Sequence, residues 1–518
     1  MTQNKRILLN VVSTYGRSLF ALACGIFTAR WVLLSLGTVD YGLFGVVGGL
    51  TGFVVFISYI LQGATSRFYA FTLGAAQNCK SPGEGLIKCQ EWFNTSLCIH
   101  LLVPIVLLLV GYFVGVWAID NFLTIPSNRI NACQWVFGFA CISCFVSMSA
   151  VPYYGMYIAK QYIAELTIYG FATTFLTAIL AYYMSTHPGE WLIFYSACLC
   201  LLNVTTQIVI IIRATILFPE CRIKLKYWWS RRRFKELIDY AGWNFIGAVG
   251  RMLQMQGSAV LINKYSGPSA NAGFSLANSI NGHCQSIVTA LRTAFIPAVT
   301  TLCGARKYDE MCGMALRSCK FATILALVFV LPLSIELNQI LCIWLGAPPQ
   351  YTEGLCLCIM AAHVIENLGM GHSIAICAFG KVAKYQCVAG GIRLLVLPVA
   401  WCWIAFGGGV YCVGYTFVLI MLLYTVSRAF LAKSLARMPI VKWVIHLVLP
   451  TLCVSTIVIL VGWGIKTICP PSFPRMILVG LITEMLLLPV SWFFVLDCNE
   501  REFLASKIRS LKERSLNA

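Results

Sequence analysis

Four arginines stand inside or at the edges of apolar runs: Arg17, Arg67, Arg251 and Arg292. A guanidinium near membrane depth costs about 2.5–3.5 kcal/mol on insertion scales, so such a residue should face protein or a watery cavity. Two of the four arrive in the same local context. Asn10-Val-Val-Ser-Thr-Tyr-Gly-Arg17 and Asn244-Phe-Ile-Gly-Ala-Val-Gly-Arg251 share the Asn-to-Arg spacing and the Gly before Arg. Seven residues are two helical turns, which sets Asn and Arg on one face. Two helices with the same buried charge point to two related halves around one cationic cavity. Arg67 and Arg292 lie nearer the ends of their runs, where snorkelling to the headgroups competes with a cavity role. Arg30 fits snorkelling, and Arg393 fits either reading. Asn10 and Asn244 could hydrogen-bond a polar ligand or the arginines, or join helices as buried amides do. A second candidate is His363 with Glu366, one helical turn apart in an apolar run, with Asn367 and His372 close by. Such a pair could relay protons and couple transport to an ion gradient, or be a mutually satisfied contact between helices.

These residues need helices to hold them, and the composition supplies helices of one kind. The chain has 518 residues, 59% hydrophobic and 11% charged, with mean hydropathy +0.80. That much apolar surface suits a polytopic membrane protein, and the long apolar runs without strand-like alternation favour helices over a barrel. We expect an all-α integral membrane protein of about fourteen transmembrane helices. They should lie near 9–35, 43–66, 94–118, 132–157, 164–184, 190–212, 238–262, 272–298, 316–335, 354–378, 383–405, 409–430, 443–464 and 475–496. The lobes follow as 1–212 and 238–430, joined by a basic cytoplasmic linker at 213–237. Residues 431–518 add two further helices and a cytoplasmic tail.

Charge orients this arrangement. With the N-terminus inside, the inner segments hold 28 of the 38 Lys and Arg, Lys320 and Arg428 counted among them, while the outer segments hold Arg129, Lys264, Lys466 and Arg475. Such asymmetry makes both termini cytoplasmic. The net charge of +19 is thereby explained by loop positions, and nucleic acid is not implied. In the linker, Arg222, Lys224, Lys226, Arg231, Arg232, Arg233 and Lys235 interleave with Tyr227, Trp228 and Trp229, a pattern found in headgroup regions that could also meet anionic lipid. The glycines of Gly45–Gly52 and Gly407–Gly409 fit close helix packing or hinges. The 24 cysteines mostly sit in apolar runs as small hydrophobes, and Cys141-Ile-Ser-Cys144 lacks the companions of a metal site. No triad, phosphate-cradling loop or nucleotide-binding motif is present, so no cofactor, metal or ATP hydrolysis is expected.

Several short motifs resemble those of a known family. Ala29-Arg30, Leu36-Gly37 and Asp40-Tyr41-Gly42 look like the first-hairpin signature of Wzx-type polysaccharide flippases, members of the MOP (multidrug/oligosaccharidyl-lipid/polysaccharide) superfamily. Gly63-Ala64 with Arg67 is similar to the end of that family's second helix. In the second half, Asp239-Tyr240-Ala241, Gly273-Phe274-Ser275-Leu276-Ala277 and Phe295-Ile296-Pro297 resemble the corresponding pattern, as do Ile340–Gly346 and Gly380-Lys381 farther on. The likeness runs from about residue 8 to 430.

The resemblance implies a MATE-like arrangement of two pseudo-symmetric six-helix bundles, with two extra C-terminal helices, in the inner membrane of a bacterium. It implies translocation of undecaprenyl-pyrophosphate-linked oligosaccharide by alternating access, for O-antigen, capsule or exopolysaccharide, without enzymatic activity. Membrane lipids, the polysaccharide polymerase and glycosyltransferases are the implied partners. In that reading Arg17, Arg67, Arg251 and Arg292 would hold the pyrophosphate, since guanidinium binds phosphate bidentately and stays charged. Asn10 and Asn244 would meet sugar hydroxyls. His363 and Glu366 would serve ion coupling. A lipid II flippase of the same superfamily fits the charge sign equally. A multidrug or cation antiporter would want acidic residues where this chain has arginine. A membrane polymerase or ligase would resemble its class in carrying a large outer loop, and the outer loops here are short.

Overall fold

The computed structural model describes residues 3–76, 82–160, 162–380, 382–498 and 500–502; the side chains of Asn10, Arg67 and Asn244 lie outside the described set. The described residues contain helices and no strand. In chain order these are α1 (Gln3–Gly49), α2 (Gly52–Ala76), α3 (Pro82–Trp117), α4 (Ile130–Ser149), α5 (Val151–Ala159), α6 (Ile163–Thr186), α7 (Trp191–Leu217), α8 (Arg231–Met252) and α9 (Ser258–Gly304). There follow α10 (Tyr308–Ile335), α11 (Leu337–Leu345), α12 (Thr352–Leu368), α13 (Met370–Ala378), α14 (Val382–Leu394), α15 (Val396–Ala405), α16 (Tyr411–Ala436), α17 (Ile440–Trp443), α18 (Leu449–Ile468) and α19 (Phe473–Phe494).

Ten described helical stretches are long and apolar enough to cross a membrane, and α12 with α13, bent by 43° at Gly369, makes an eleventh. The expected number was about fourteen. The expected spans at 43–66, 238–262 and 272–298 fall on helix, but those helices are less apolar. The described apolar stretch in α2 is only Val54–Ser66. Helix α8 opens with Arg231-Arg232-Arg233, and α9 carries Asn263, Asn271, Asn278, Asn281, Gln285 and Arg292. Polarity of that kind suits a helix with protein or water on one side rather than lipid all round.

The chain divides into two compact units, Met1–Ser275 and Leu276–Ala518. In the first, two long helices are each interrupted at a glycine. Helix α1 breaks at Gly37 (φ 72°, ψ 172°), and α9 breaks at Gly267 (φ 82°, ψ 178°). Only glycine takes that conformation without steric penalty. The segments after the two breaks meet: Asn271 Nδ2 donates to the Gly42 carbonyl at 2.9 Å. Gly42, Gly45, Gly49 and Gly52 form the seam. A methyl added at Gly42 would overlap the Pro268 carbonyl, at Gly45 the Ser275 hydroxyl, and at Gly49 or Gly52 the Gln256 side chain. Small residues at this spacing are what lets helix backbones approach closely.

The basic linker is docked rather than slack. Helix α7 runs on to Leu217 and α8 starts at Arg231, and the short turns between them bind α3. Gln90 Nε2 donates to the Pro219 carbonyl at 3.0 Å, Asn94 Oδ1 accepts from the Lys224 amide at 2.8 Å, and Arg233 pairs with Glu91 at 3.2 Å while lying over Trp92. Lys160 holds Glu220 at 2.7 Å. These bonds satisfy the linker backbone on the protein side and leave Ile223, Leu225 and Trp229 exposed.

In the second unit the C-terminal helix pair is fastened to α10 at both ends. At one end Lys320, fully buried, reaches Asp497 at 2.8 Å and Glu500 at 3.0 Å, with Arg317 also on Glu500. At the other, Arg475 pairs with Glu336 at 2.8 Å and Lys466 donates to the Ile335 carbonyl at 3.0 Å. Between the ends, Leu327, Leu331, Val454, Val458 and Leu487 form a shared core. Lys320 was expected among loop charges; it is an interior residue instead, because α10 begins at Tyr308 and draws it more than three turns into the helix. Removing one member of a buried ion pair costs about 3–5 kcal/mol by stranding the other. Lys320→Met should therefore lower the unfolding midpoint of the detergent-purified protein by several degrees. Lys320→Met with Glu500→Leu should recover part of the loss, and a midpoint unchanged in the single variant would show that the clamp is dispensable.

Candidate functional site

The sequence candidates separate into two places. Arg17 lies in the first unit, on the face of α1 that meets α6. The helices come close there because α6 has Gly170 opposite: an added methyl would lie 2.7 Å from Arg17 Nη1 and 3.0 Å from its Cζ. The guanidinium thus rests on bare backbone, beside the Phe20–Phe171 ring contact at 5.0 Å. It lines two adjoining cavities of about 500 and 520 Å³. Both are also lined by Ala140, Ser143, Tyr154, Asn203 and Gln207 from α4, α5 and α7. Thr173, Thr177, Ser196 and Thr206 add hydroxyls to the first, and Ser58, Tyr59 and Gln62 add polar groups to the second. Among the described residues that line them, Arg17 is the one charged group. Gln207 Oε1 is buried without a hydrogen-bond partner among the described residues. Ser147 donates to Asn203 Oδ1 at 3.0 Å, which orients that amide. The arrangement offers one cation and a field of hydroxyls and amides, groups that pair with a polyhydroxylated anion.

Arg251 stands exposed on the last turn of α8 and lines neither cavity. Asn10, Arg67 and Asn244 lie outside the described side chains.

The remaining candidates converge in the second unit. Arg292, His363 and Glu366 line one small cavity of about 40 Å³, together with Gln285, Thr289, Asn367, Met370, Ser373 and Arg428. The spacing of His363 and Glu366 predicts a pair, but their closest partners are others. Asn367 Nδ2 faces His363 Nε2 at 3.2 Å, and the Glu366 carboxylate accepts from Arg393 Nη2 at 2.5 Å. Arg428 donates through Nη2 to the Glu366 carbonyl and to Thr425 Oγ1 at 3.2 Å. Both guanidiniums lie over the Tyr424 ring, Arg393 at 4.4 Å and Arg428 at 4.3 Å from its centroid, and Tyr424 shares a hydroxyl contact of 3.1 Å with Tyr385.

Arg428 is the residue that sequence reasoning missed. It lies near the end of an expected span and reads as a loop charge, yet it is 4% exposed and central to the cluster. One signal was present: it follows Tyr424 by one helical turn inside an unbroken apolar run. Gly170 and the pair Asn203 and Gln207 had no local signal at all. Neutralising Arg393 should strand the Glu366 carboxylate. Arg393→Leu is expected to reduce folded protein in the membrane severalfold at equal expression, and Arg393→Leu with Glu366→Leu to restore most of it, as replaced buried pairs often do. Equal yields from single variant and wild type would mean the pair carries no weight.

No protein-family model matches the chain, and no curated protein matches it by sequence. Its structure does have relatives. A multidrug resistance MATE family transporter of the MOP superfamily, in an inward-facing conformation, superposes with TM-score 0.66 at 13% identity, covering 81% of this chain and 98% of that one. The lipid II flippase MurJ in an inward closed conformation gives 0.62 at 13% identity, covering 94% and 98%. A MOP superfamily transporter from Pyrococcus furiosus, described as having a binding pocket of reverse polarity, gives 0.56 at 14%, covering 84% and 99%. Likeness at such low identity concerns architecture, and together with the ten apolar helices it makes the chain a multi-pass membrane protein with the helical fold of MOP superfamily transporters.

Proposed function

We propose that this protein is a flippase that moves undecaprenyl-pyrophosphate-linked oligosaccharide across the bacterial cytoplasmic membrane by alternating access, for surface polysaccharide synthesis. The observation that carries the reading is the Arg17 cavity pair. It joins one guanidinium to Ser143, Tyr154, Asn203 and Gln207, with no carboxylate among the described lining residues. A pyrophosphate would take the guanidinium's forked donors. Sugar hydroxyls, which both donate and accept, would take the amides and hydroxyls, the partnerless Gln207 Oε1 first. An organic cation would find no counter-charge there, which disfavours a multidrug antiport reading.

The lipid II reading keeps the same carrier and differs in the sugar. It gains support from the MurJ likeness, whose 94% coverage extends into the C-terminal helices. The motifs at Asp40-Tyr41-Gly42 and Gly273-Phe274-Ser275 support the Wzx-type reading instead.

Complementation separates these readings. The wild-type chain is expected to restore surface polysaccharide to a bacterium lacking its oligosaccharide-lipid flippase. Arg17→Ala should fail at equal membrane abundance, and Arg17→Lys, which keeps the charge but loses the fork, should restore only part. Gly170→Val should resemble Arg17→Ala by displacing the guanidinium. Full activity in Arg17→Ala would remove the cationic-cavity mechanism, and rescue confined to a lipid II flippase-deficient strain would reassign the substrate.

A further inference from the structure

The break between α12 and α13 leaves two half-helix ends facing each other inside the second unit. In a broken transmembrane helix, the free carbonyl end attracts cations and the free amide end attracts anions. Here the carbonyl end is already filled. Arg428 Nη2 takes the Glu366 carbonyl, and the guanidinium lies against Gly369, where an added methyl would fall 2.9 Å from Nη2 and 3.1 Å from Nε. A tethered guanidinium thus occupies the position a mobile cation would need.

The charges that remain are positive. Glu366 is the one carboxylate lining the cavity among the described residues, and Arg393 engages it at 2.5 Å. Among the described residues Arg428 hydrogen-bonds only neutral acceptors, the Glu366 carbonyl and Thr425, it shares the Glu366 carboxylate's field with Arg393, and its Nε is buried with no acceptor. Arg292 lines the same cavity. Buried, unmatched guanidinium charge is costly, and an unfilled donor on it more so. The first turn of α13 is engaged elsewhere, its Gly371 amide donating to Cys319 Sγ at 3.1 Å, so the positive charge at the cavity is that of the arginines.

Size narrows the ligand. A cavity needs roughly 10–15 Å³ to admit one water, so about 40 Å³ holds one small ion with a water or two and no sugar.

We propose that the cavity at the α12–α13 break binds a single small inorganic anion of the halide class, held by Arg428 and Arg292. The site is separate from the Arg17 cavities and does not depend on what the protein transports. The anion balances the arginine that caps α12.

Thermal unfolding of the purified full-length protein in potassium chloride against potassium gluconate, at one ionic strength, tests this. Chloride is expected to raise the midpoint along a saturable curve. Arg292→Gln should weaken the apparent affinity by about tenfold, the weight of one hydrogen bond to a charged group. Crystals grown in bromide should give an anomalous peak within hydrogen-bond distance of Arg428, a readout that needs no variant to fold. Equal midpoints in the two salts with no bromide peak would overturn the proposal. An undiminished chloride response in Arg292→Gln without the peak would also overturn it, as a general salt effect. Stabilisation by pyrophosphate but not chloride would give the pocket to the phosphate end of a lipid carrier. A midpoint that follows sodium against potassium at constant chloride would make it a cation site.

Discussion

A guanidinium or ammonium drawn into the apolar interior must meet a carboxylate, a carbonyl or a polar cavity, because lipid offers it nothing. This chain answers that constraint in two ways, and the difference separates scaffold from site. Lys320 with Asp497 and Glu500, Arg475 with Glu336, and Arg393 with Glu366 are matched by carboxylates at 2.5–3.0 Å. Their charge is used up in holding helices together. Among the described residues Arg17 and Arg428 have no ion-paired carboxylate, and both line cavities.

A glycine lies against each of Arg17 and Arg428. Gly170 on α6 gives Arg17 a bare backbone to rest on, and Gly369 at the α12–α13 break does the same for Arg428. Without a Cβ the planar guanidinium can lie flat against the chain, which fixes its forked donors at little entropic cost. The seam glycines from Gly42 to Gly52 work on the backbone scale, letting α1 and α2 meet the Gln256–Ser275 segment closely enough for Asn271 to reach the Gly42 carbonyl. The two breaks at Gly37 and Gly267 are the same device used in α1 and in α9.

The four basic residues expected on the outer side are also engaged by the structure, two of them by carboxylates. Arg129 pairs with Asp40 and Glu190, Lys264 lies over Phe122, Lys466 binds a helix-end carbonyl, and Arg475 is buried on Glu336. Each is absorbed by structure, whereas Arg222, Lys224 and Lys226 in the linker stay exposed. An orientation argument that counts charges therefore gains when it counts only those left free to meet headgroups.

The sequence by itself determined the class and the helical layout, since hydropathy and chain length depend only on local order, and every apolar run read as a span lies on helix. It offered Arg17 and Arg251 together through their matched octapeptides, and of the two Arg17 alone lines a described cavity. Tertiary structure decided which polar residues share a cavity. His363 and Glu366 are neighbours in sequence, yet Glu366 turns to Arg393, 27 residues later. Arg428 reads as a loop charge until α16 carries it to the end of α12. Asn203 and Gln207 meet Arg17 from nearly two hundred residues away. Local pattern fixes which face of a helix is polar; only the packing of one helix on another decides what that face meets.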